Sequence, residues 1–222
     1  MRKEGIFLKY IIMCGGRYGK WETPRHLIEI NGEPLVMRTI RLLRSAGVDD
    51  IAISAEDAVF EKFGVPVLYH DNDYFETPEH STGHWASAFY LTDEPTCYIF
   101  GDVVFSPQAI RAIVGYKTDS IMFFGSKKPF APEYPKRHEE PFAFKVADVA
   151  KFHKAIEEHK RLADSGTYYR KPIAWELWFI CRGVDPAEWM RKLPESDYVA
   201  INDYTCDIDD KEDVARFRQC LL

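Results

Sequence analysis

The chain has 222 residues, of which 46% are apolar, and a formal net charge of −6 at pH 7. This length suits one domain with a substantial core, and the negative charge argues against non-specific nucleic-acid binding. No apolar run is long enough for a secretion signal or a membrane span, and five widely spaced cysteines without a C-x-x-C pair indicate reduced thiols, so we expect a cytoplasmic protein with no membrane partner.

Short apolar runs alternate with stretches of helical periodicity. The predicted strands are Tyr10–Met13, Ile51–Ser54, Pro66–Tyr69, Cys97–Phe100, Ser120–Phe124, Phe142–Val146, Leu177–Cys181 and Tyr198–Ile201. The predicted helices are one that begins near Leu35 and ends at Gly47, then Ser81–Leu91, Pro107–Gly115, Val149–Ala163, Pro186–Lys192 and Lys211–Leu222. This alternation predicts an α/β fold, a three-layer α/β/α sandwich around a Rossmann-like, mostly parallel mixed sheet.

The loop after the first predicted strand combines bare glycines with cations. It carries Cys14, Gly15, Gly16, Arg17, Gly19, Lys20 and Arg25. Glycines let backbone N–H groups approach an anion, and nearby cations neutralise it. The spacing matches neither the P-loop nor the dinucleotide fingerprint. The pattern therefore indicates a phosphate cradle of another kind, with an ordinary glycine turn as the alternative.

Two acidic groups stand at places suited to metal binding. Asp102 follows Gly101 at the carboxyl end of a predicted strand, and Asp207 and Asp209 alternate around Ile208 before the last helix. Mg²⁺ prefers carboxylate oxygens. The alternatives are a strand-terminating Gly-Asp turn and, for the second group, the capping of the last helix.

Taken in order, four segments resemble the nucleotidyltransferase family with the GT-A-like, nucleotide-diphospho-sugar transferase fold. That family includes sugar-phosphate nucleotidyltransferases, phosphocholine cytidylyltransferases and molybdenum-cofactor guanylyltransferases. The segments are Gly15-Gly16 through Pro24-Arg25-His26-Leu27 with the turn Asn31–Leu35, then Ser81-Thr82-Gly83, Gly101-Asp102, and Asp207–Asp213. The chain departs from the family in two ways: many members have lysine where Arg25 stands, and the glycine loop is shorter.

The resemblance implies a Mg²⁺-dependent enzyme that transfers a nucleoside monophosphate from a triphosphate to a small phosphorylated acceptor and releases pyrophosphate. It assigns nucleotide binding to Cys14, Gly15, Gly16, Arg17, Ser81, Thr82, Gly83 and Asp102, and catalysis to Arg17, Lys20, Arg25 and Asp102. It assigns the metal to Asp102 and Asp209, with Asp207 as the alternative second ligand. A plain helix N-cap at Ser81 or Thr82 is the other interpretation of that segment.

The nucleotide-binding half would then span about 8–115 and the acceptor-side lobe about 120–200, closed by the helix 211–222. In that lobe Trp175 and Glu176 are the candidates for binding a choline-like or sugar-phosphate acceptor, with Tyr168, Tyr169 and Trp189 as further contributors. The alternative is that Trp175 and Glu176 belong to a buried aromatic strand. A GT-A glycosyltransferase and a non-catalytic nucleotide-binding homologue are the alternative functions. The base, the acceptor, the pathway and the oligomeric state, a homodimer included, stay open.

Overall fold

The computed structural model describes residues 8–18, 21–76, 81–126, 139–166, 172–185 and 197–221. A seven-stranded sheet forms the centre of this part of the chain. Its strands are β1 (Lys9–Met13), β2 (Ile51–Ala55), β3 (Val67–Tyr69), β4 (Thr96–Phe100), β5 (Ile121–Ser126), β6 (Glu140–Val146) and β7 (Val199–Ala200). They lie in the order β7-β5-β6-β4-β1-β2-β3, and in this sheet β6 alone runs antiparallel to its neighbours.

Helices and short strands surround this sheet. The α-helices of the described ranges are α1 (Leu35–Ser45), α2 (Pro107–Gly115), α3 (Val149–Ser165), α4 (Ala174–Cys181) and α5 (Lys211–Cys220). Short 3₁₀ segments occur at Arg25–Leu27, Ala58–Phe63 and Trp85–Ala88. The short strands are Arg17–Tyr18, Phe75–Glu76 and Ser81–Thr82 in one sheet, Glu29–Ile30 with Glu33–Pro34, and Val103–Val104 with Cys206–Asp207. Among the described residues, no helix has the length and apolar character needed to cross a membrane.

Neighbouring side chains of β6 show that helices cover both faces of the sheet. Successive residues of a strand point to opposite faces. Phe144 packs against Phe152 of α3, with ring centroids 6.0 Å apart. The next side chain, Lys145, donates from Nζ to the carbonyl oxygens of Ile113 and Val114 in α2, each at 2.9 Å. The predicted three-layer α/β/α sandwich with a mostly parallel mixed sheet is therefore confirmed.

Local sequence explains where the main helices begin and end. Ser106 caps α2 by accepting from the backbone N–H of Ala109, and Pro107 occupies the first turn. Asp148 caps α3 in the same way. Glycines in the left-handed region, Gly47 after α1 and Gly166 after α3, end those two helices.

Seven of the eight predicted strands are present, each within two residues of its predicted ends. The eighth prediction, a strand at Leu177–Cys181, is wrong, because these residues form most of α4. Leu177, Trp178 and Phe179 are all buried, so α4 shows no polar face and its sequence lacks helical periodicity. The interpretation of Trp175 and Glu176 as neighbours on a strand fails with it.

The predicted helix Ser81–Leu91 is also wrong. Ser81–Thr82 pairs with Phe75–Glu76 as a short strand, and only the 3₁₀ turn Trp85–Ala88 follows. Gly83 lies between them with a φ of +67°, which interrupts a right-handed helix. The helix N-cap interpretation of Ser81 or Thr82 is therefore incorrect. The predicted helix Pro186–Lys192 lies outside the described residues.

Candidate active site

The glycine loop begins at the carboxyl end of β1. The backbone N–H of Cys14 donates to the carbonyl oxygen of Ser54 at the end of β2, at 2.8 Å. Gly16 has a φ of +94°, which favours glycine. A Cβ on Gly15 would lie 3.0 Å from Nδ2 of Asn72. The two glycines thus provide a tight turn whose backbone is bare of side chains.

Asn72 packs against this turn and was not predicted from the sequence. It is 7% exposed, and its Oδ1 accepts from the backbone N–H of Tyr74 at 3.0 Å and from the hydroxyl of Ser87 at 2.7 Å. Its backbone N–H donates to Oε1 of Glu56. Its Nδ2 has no hydrogen-bond partner among the described residues and lies against Gly15. An asparagine in a polar loop resembles any turn residue, so no sequence signal distinguished it.

A small three-stranded sheet brings together the two segments predicted to bind nucleotide. The strand Arg17–Tyr18 pairs with Phe75–Glu76, which pairs in turn with Ser81–Thr82. A Cβ on Gly83 would clash with the backbone carbonyl of Asp73, so a bare glycine is needed for this packing. The structure therefore places Ser81 and Thr82 on the same small sheet as the strand that follows the glycine loop, with Gly83 directly after them.

Gly101 brings the end of β4 against the end of β1. Its backbone N–H donates to the carbonyl oxygen of Met13 at 3.0 Å. A Cβ at this position would overlap that oxygen and lie 2.9 Å from Sγ of Cys14 and 3.0 Å from Cδ2 of His26. Because a glycine occupies the position, the next residue, Asp102, stands beside the start of the glycine loop.

The C-terminal acids reach Asp102 through a pair of short strands. Val103 and Val104 pair antiparallel with Asp207 and Cys206, and the backbone N–H of Ile208 donates to the carbonyl oxygen of Asp102 at 3.0 Å. This pairing brings the segment before α5 to the end of β4.

A buried polar network fixes the same segment from the other side. The hydroxyl of Ser106 donates to a carboxylate oxygen of Asp203, and its backbone N–H donates to Oγ1 of Thr205 at 2.9 Å. The backbone N–H of Thr205 in turn donates to Asp203 at 2.8 Å. Ser106 is also the cap of α2, so the helix and the acidic segment are held by one residue.

Arg25 joins both predicted metal ligands. Its Nη2 lies 2.5 Å from Oδ2 of Asp102, and its Nη1 lies 3.3 Å from Oδ1 of Asp209. Arg25 begins the 3₁₀ turn that follows Pro24. In the sequence, Asp102 lies 77 positions and Asp209 lies 184 positions after Arg25, and the structure brings the three residues together.

Asp207 belongs to the same group of acids as Asp102 and Asp209. Burial raises the pKa of its carboxyl group well above the usual range, and the charges of Glu140, Asp209 and Asp102 raise it further, while Arg25 lowers it. Within the described ranges, Glu140, Cys206 and Asp207 place ligand atoms within 4.8 Å of one another. A thiol is a poor ligand for a hard cation. The half-buried carboxylates of Asp102 and Asp209 therefore suit Mg²⁺ better than this group, in which Glu140 and Cys206 are buried and one donor is a thiol.

Two buried groups beside the glycine loop are held neutral. Burial raises the pKa of the Cys14 thiol well above its usual range, and the charge of Asp102 adds to this shift. Burial lowers the pKa of His26 to about 4. Neither group therefore supplies a reactive thiolate or an imidazolium at neutral pH, and Cys14 contributes its backbone and its packing to the site.

A cleft of about 310 Å³ opens at the start of α5 and is lined by Trp21 and residues 209–212. Asp209 thus faces both Arg25 and this cleft.

Gly19 and Lys20 lie outside the described residues, and of Arg17 only the backbone is described.

The predicted acceptor residues lie on α4. The ring centroid of Trp175 is 4.7 Å from that of Phe123 and 5.3 Å from that of Tyr198, so its indole is partly packed in the aromatic core. Oε2 of Glu176 accepts from the backbone N–H of Ile173 at 2.9 Å and thereby stabilises the first turn of the helix. The predicted contributors Tyr168, Tyr169 and Trp189 lie outside the described residues.

Comparison with known proteins identifies a family and a fold. The family model for the MobA-like NTP transferase domain matches residues 10–170. No curated protein matches the chain in sequence.

Three solved structures illustrate the shared fold. A Bacillus anthracis protein described as a glucose-1-phosphate thymidylyltransferase, solved with sucrose, is 16% identical with a TM-score of 0.57, over 96% of this chain and 94% of its own. The CTP:phosphocholine cytidylyltransferase of Streptococcus pneumoniae is 16% identical with a TM-score of 0.52, over 98% and 100%. The 4-diphosphocytidyl-2C-methyl-D-erythritol synthase of Anaerococcus prevotii is 13% identical with a TM-score of 0.57, over 97% and 98%. At such low identity these similarities establish the fold alone.

Proposed function

Because the chain belongs to the family of MobA-like NTP transferase domains, we propose that it is a Mg²⁺-dependent nucleotidyltransferase. It transfers a nucleoside monophosphate from a nucleoside triphosphate to a small phosphorylated acceptor, a sugar phosphate or a phosphocholine-like molecule, and releases pyrophosphate. The observation that carries this proposal is the group formed by Arg25, Asp102 and Asp209 at the end of the strand beside the glycine loop.

Asp102 and Asp209 are the residues that would hold Mg²⁺. Both offer carboxylate oxygens, the ligands that a hard divalent cation prefers, and their side chains are 17% and 33% exposed, so an entering ion can reach them. When bound, the ion would offset the negative charge of the triphosphate and of the departing pyrophosphate.

The chain's own groups bind and align the two substrates. The bare backbone at Gly15 and Gly16 would receive the phosphates, with Arg17, Lys20 and Arg25 as the neutralising cations. Ser81 and Thr82 on the adjoining small sheet, with Gly83 directly after them, would contact the base or the ribose.

The reaction needs little beyond alignment and charge stabilisation. A phosphate oxygen of the acceptor forms a bond to the α-phosphorus, and the bond from that phosphorus to the oxygen of the pyrophosphate breaks. An ionised phosphate is already a nucleophile, so the protein supplies no general base. This agrees with a site in which Cys14 and His26 are buried and neutral.

We place the triphosphate on the half of the chain at about 8–115 and the acceptor on the lobe at about 120–200. Trp175 is the acceptor residue that this arrangement predicts. Trp175→Leu should raise the KM for the acceptor and leave the KM for the triphosphate unchanged. Equal effects on both constants in steady-state kinetics would show instead that Trp175 serves only the aromatic core.

The proposed metal site is tested by Asp102→Asn, which keeps the size of the side chain and removes its charge. We expect the rate of pyrophosphate release to fall about 10²-fold or more, the usual scale for losing a group that stabilises transition-state charge. The matched control is Asp119→Asn, an exposed aspartate after α2, which should retain the wild-type rate.

The outcome also separates the alternative functions. Undiminished release in Asp102→Asn would contradict the proposed role of this residue. Transfer from a nucleotide sugar without pyrophosphate release would identify a glycosyltransferase. Triphosphate binding without turnover in the wild-type protein would identify a non-catalytic homologue.

A further inference from the structure

The guanidinium of Arg25 lies between the same two carboxylates to which the proposed function assigns Mg²⁺. It contacts Asp102 at 2.5 Å and Asp209 at 3.3 Å, and its Nη1 also lies 3.4 Å from the carbonyl oxygen of Ile208. The Arg25 side chain is only 22% exposed. Because charges that are shielded from water are screened less than charges on the surface, salt weakens the attraction between Arg25 and its two carboxylates only a little.

The two carboxylates that Arg25 contacts carry more negative charge than one guanidinium can neutralise. Because both face the same guanidinium, their negative charges lie close together. Such a concentration of carboxylates attracts a divalent cation, and a positive charge among them weakens that attraction.

We propose that Arg25 is the resident counterion of this acidic group and that a divalent metal displaces its guanidinium from Asp102 and Asp209. This inference rests on the proposed function of the same site. Until a triphosphate enters, the arginine competes with the metal. The released guanidinium, with its planar set of N–H donors, then turns to the phosphates, so metal and triphosphate bind cooperatively.

The exchange requires a movement of the side chain alone. The backbone of the turn is held by hydrogen bonds from Leu27 to Pro24 at 2.9 Å and from Ile28 to Arg25 at 3.1 Å. The neighbouring His26 is 4% exposed and anchors the turn in the core. A long arginine side chain on a fixed turn can therefore change partners without unfolding its segment.

The test is a titration of the full chain with Mn²⁺, without nucleotide, in which electron paramagnetic resonance measures the free ion. Arg25→Gln should bind Mn²⁺ about tenfold tighter than the wild type or more, because a competing charge has gone. Arg25→Lys, whose single ammonium cannot bridge both carboxylates, should have an Mn²⁺ affinity between those of the wild type and Arg25→Gln. Adding Asp102→Asn to Arg25→Gln should abolish the gain.

Arg41→Gln is the matched control. Arg41 forms a two-point ion pair with Glu33, both distances 2.7 Å, and its replacement removes the same charge from an exposed pair. It should bind Mn²⁺ as the wild type does. Unchanged or weaker Mn²⁺ binding in both Arg25 variants would overturn the inference.

Failure of the inference and failure of the proposed function remain distinguishable. The titration reports metal binding without any reaction, and Arg25→Lys keeps a cation at the site if the glutamine variant does not fold. Tighter Mn²⁺ binding in a protein that releases no pyrophosphate would support the counterion role and contradict the enzyme. Pyrophosphate release by the wild type, with no gain in Mn²⁺ affinity in the Arg25 variants, would support the enzyme and contradict the counterion role.

Discussion

At the scale of single residues, Gly101 controls how closely Asp102 approaches the glycine loop. A methyl group there would overlap the carbonyl oxygen of Met13 and crowd Cys14 and His26, all of them in the buried centre of the fold. We expect Gly101→Ala to lower the free energy of unfolding by about 2 kcal/mol or more. We also expect it to slow pyrophosphate release, because the end of β4 must shift.

Gly115→Ala is the control for this prediction, measured by urea unfolding of both variants. Gly115 closes α2, and an added Cβ would meet no atom within 4 Å. Its replacement should change the free energy of unfolding by no more than about 1 kcal/mol, since alanine favours helix. Equal effects at the two positions would show that the packing at Gly101 is not tight.

The chemistry of single residues was partly predictable. Asp102 was predicted to lie at the site because a Gly-Asp pair after an apolar strand marks the edge of a parallel sheet. The contact of Arg25 with Asp209 spans 184 positions, and no local pattern encodes such a pairing. Asn72 was missed because its significance lies in the Gly15 backbone against which it packs.

At the scale of elements, Lys145 of β6 holds the carboxyl end of α2. Its buried ammonium donates to the carbonyl oxygens of Ile113, Val114 and Tyr116 at 2.7–2.9 Å. We expect Lys145→Met to lower the free energy of unfolding by roughly 2 kcal/mol, because buried carbonyls lose their donor.

Lys154→Met provides the comparison, since Lys154 is exposed on α3. It should change the unfolding free energy by less than about 0.5 kcal/mol. Urea unfolding curves measure the unfolding free energies of both variants. If the two lysine variants were equally stable, Lys145 would not be a determinant of the sheet–helix contact.

The elements that the sequence mispredicted share one cause. Tertiary surroundings decided their structure. Six of the eight residues of α4 are buried, and its apolar sequence without helical periodicity led to the prediction of a strand. Ser81–Thr82 became a strand by pairing with Phe75–Glu76, a contact that local propensity does not reveal. Elements with one polar face, such as α1 and α3, were predicted correctly.

At the scale of the whole molecule, two buried histidines make the fold sensitive to acid. Burial lowers the pKa of His26 and of His159 to about 4, below the value of 6.5 for an exposed imidazole. The unfolded chain therefore binds more protons between these values. Their contribution to stability is full above pH 6.5 and is lost as the pH falls towards 4, roughly 3 kcal/mol for each histidine.

His159→Gln tests this sign. The glutamine amide can still donate to the carbonyl oxygen of Ile173, as Nε2 of His159 does at 3.1 Å. Urea unfolding at pH 7.5 and pH 4.5 should show a smaller loss on acidification in the variant, by about 2 kcal/mol. Taking the difference from the wild type cancels other titrating groups such as Asp207. Parallel losses in the two proteins would contradict the prediction.

The overall architecture was the most predictable level. Alternating strands and helices over the whole chain predicted three layers, and the seven-stranded sheet with helices on both faces confirmed them. The reversed direction of β6 was not specified, because apolar runs do not encode strand direction. The family membership followed from the order of four weak motifs rather than from any one of them.

The most direct test of the proposed enzyme is pyrophosphate release in the presence of Mg²⁺. CTP, UTP, GTP, ATP and dTTP are each paired with a panel of sugar phosphates and phosphocholine, using wild-type protein and Asp102→Asn. We predict release that requires one triphosphate, one acceptor and the metal together, and that falls in the variant. Release that ignores the acceptor, or that persists undiminished in Asp102→Asn, would contradict the account.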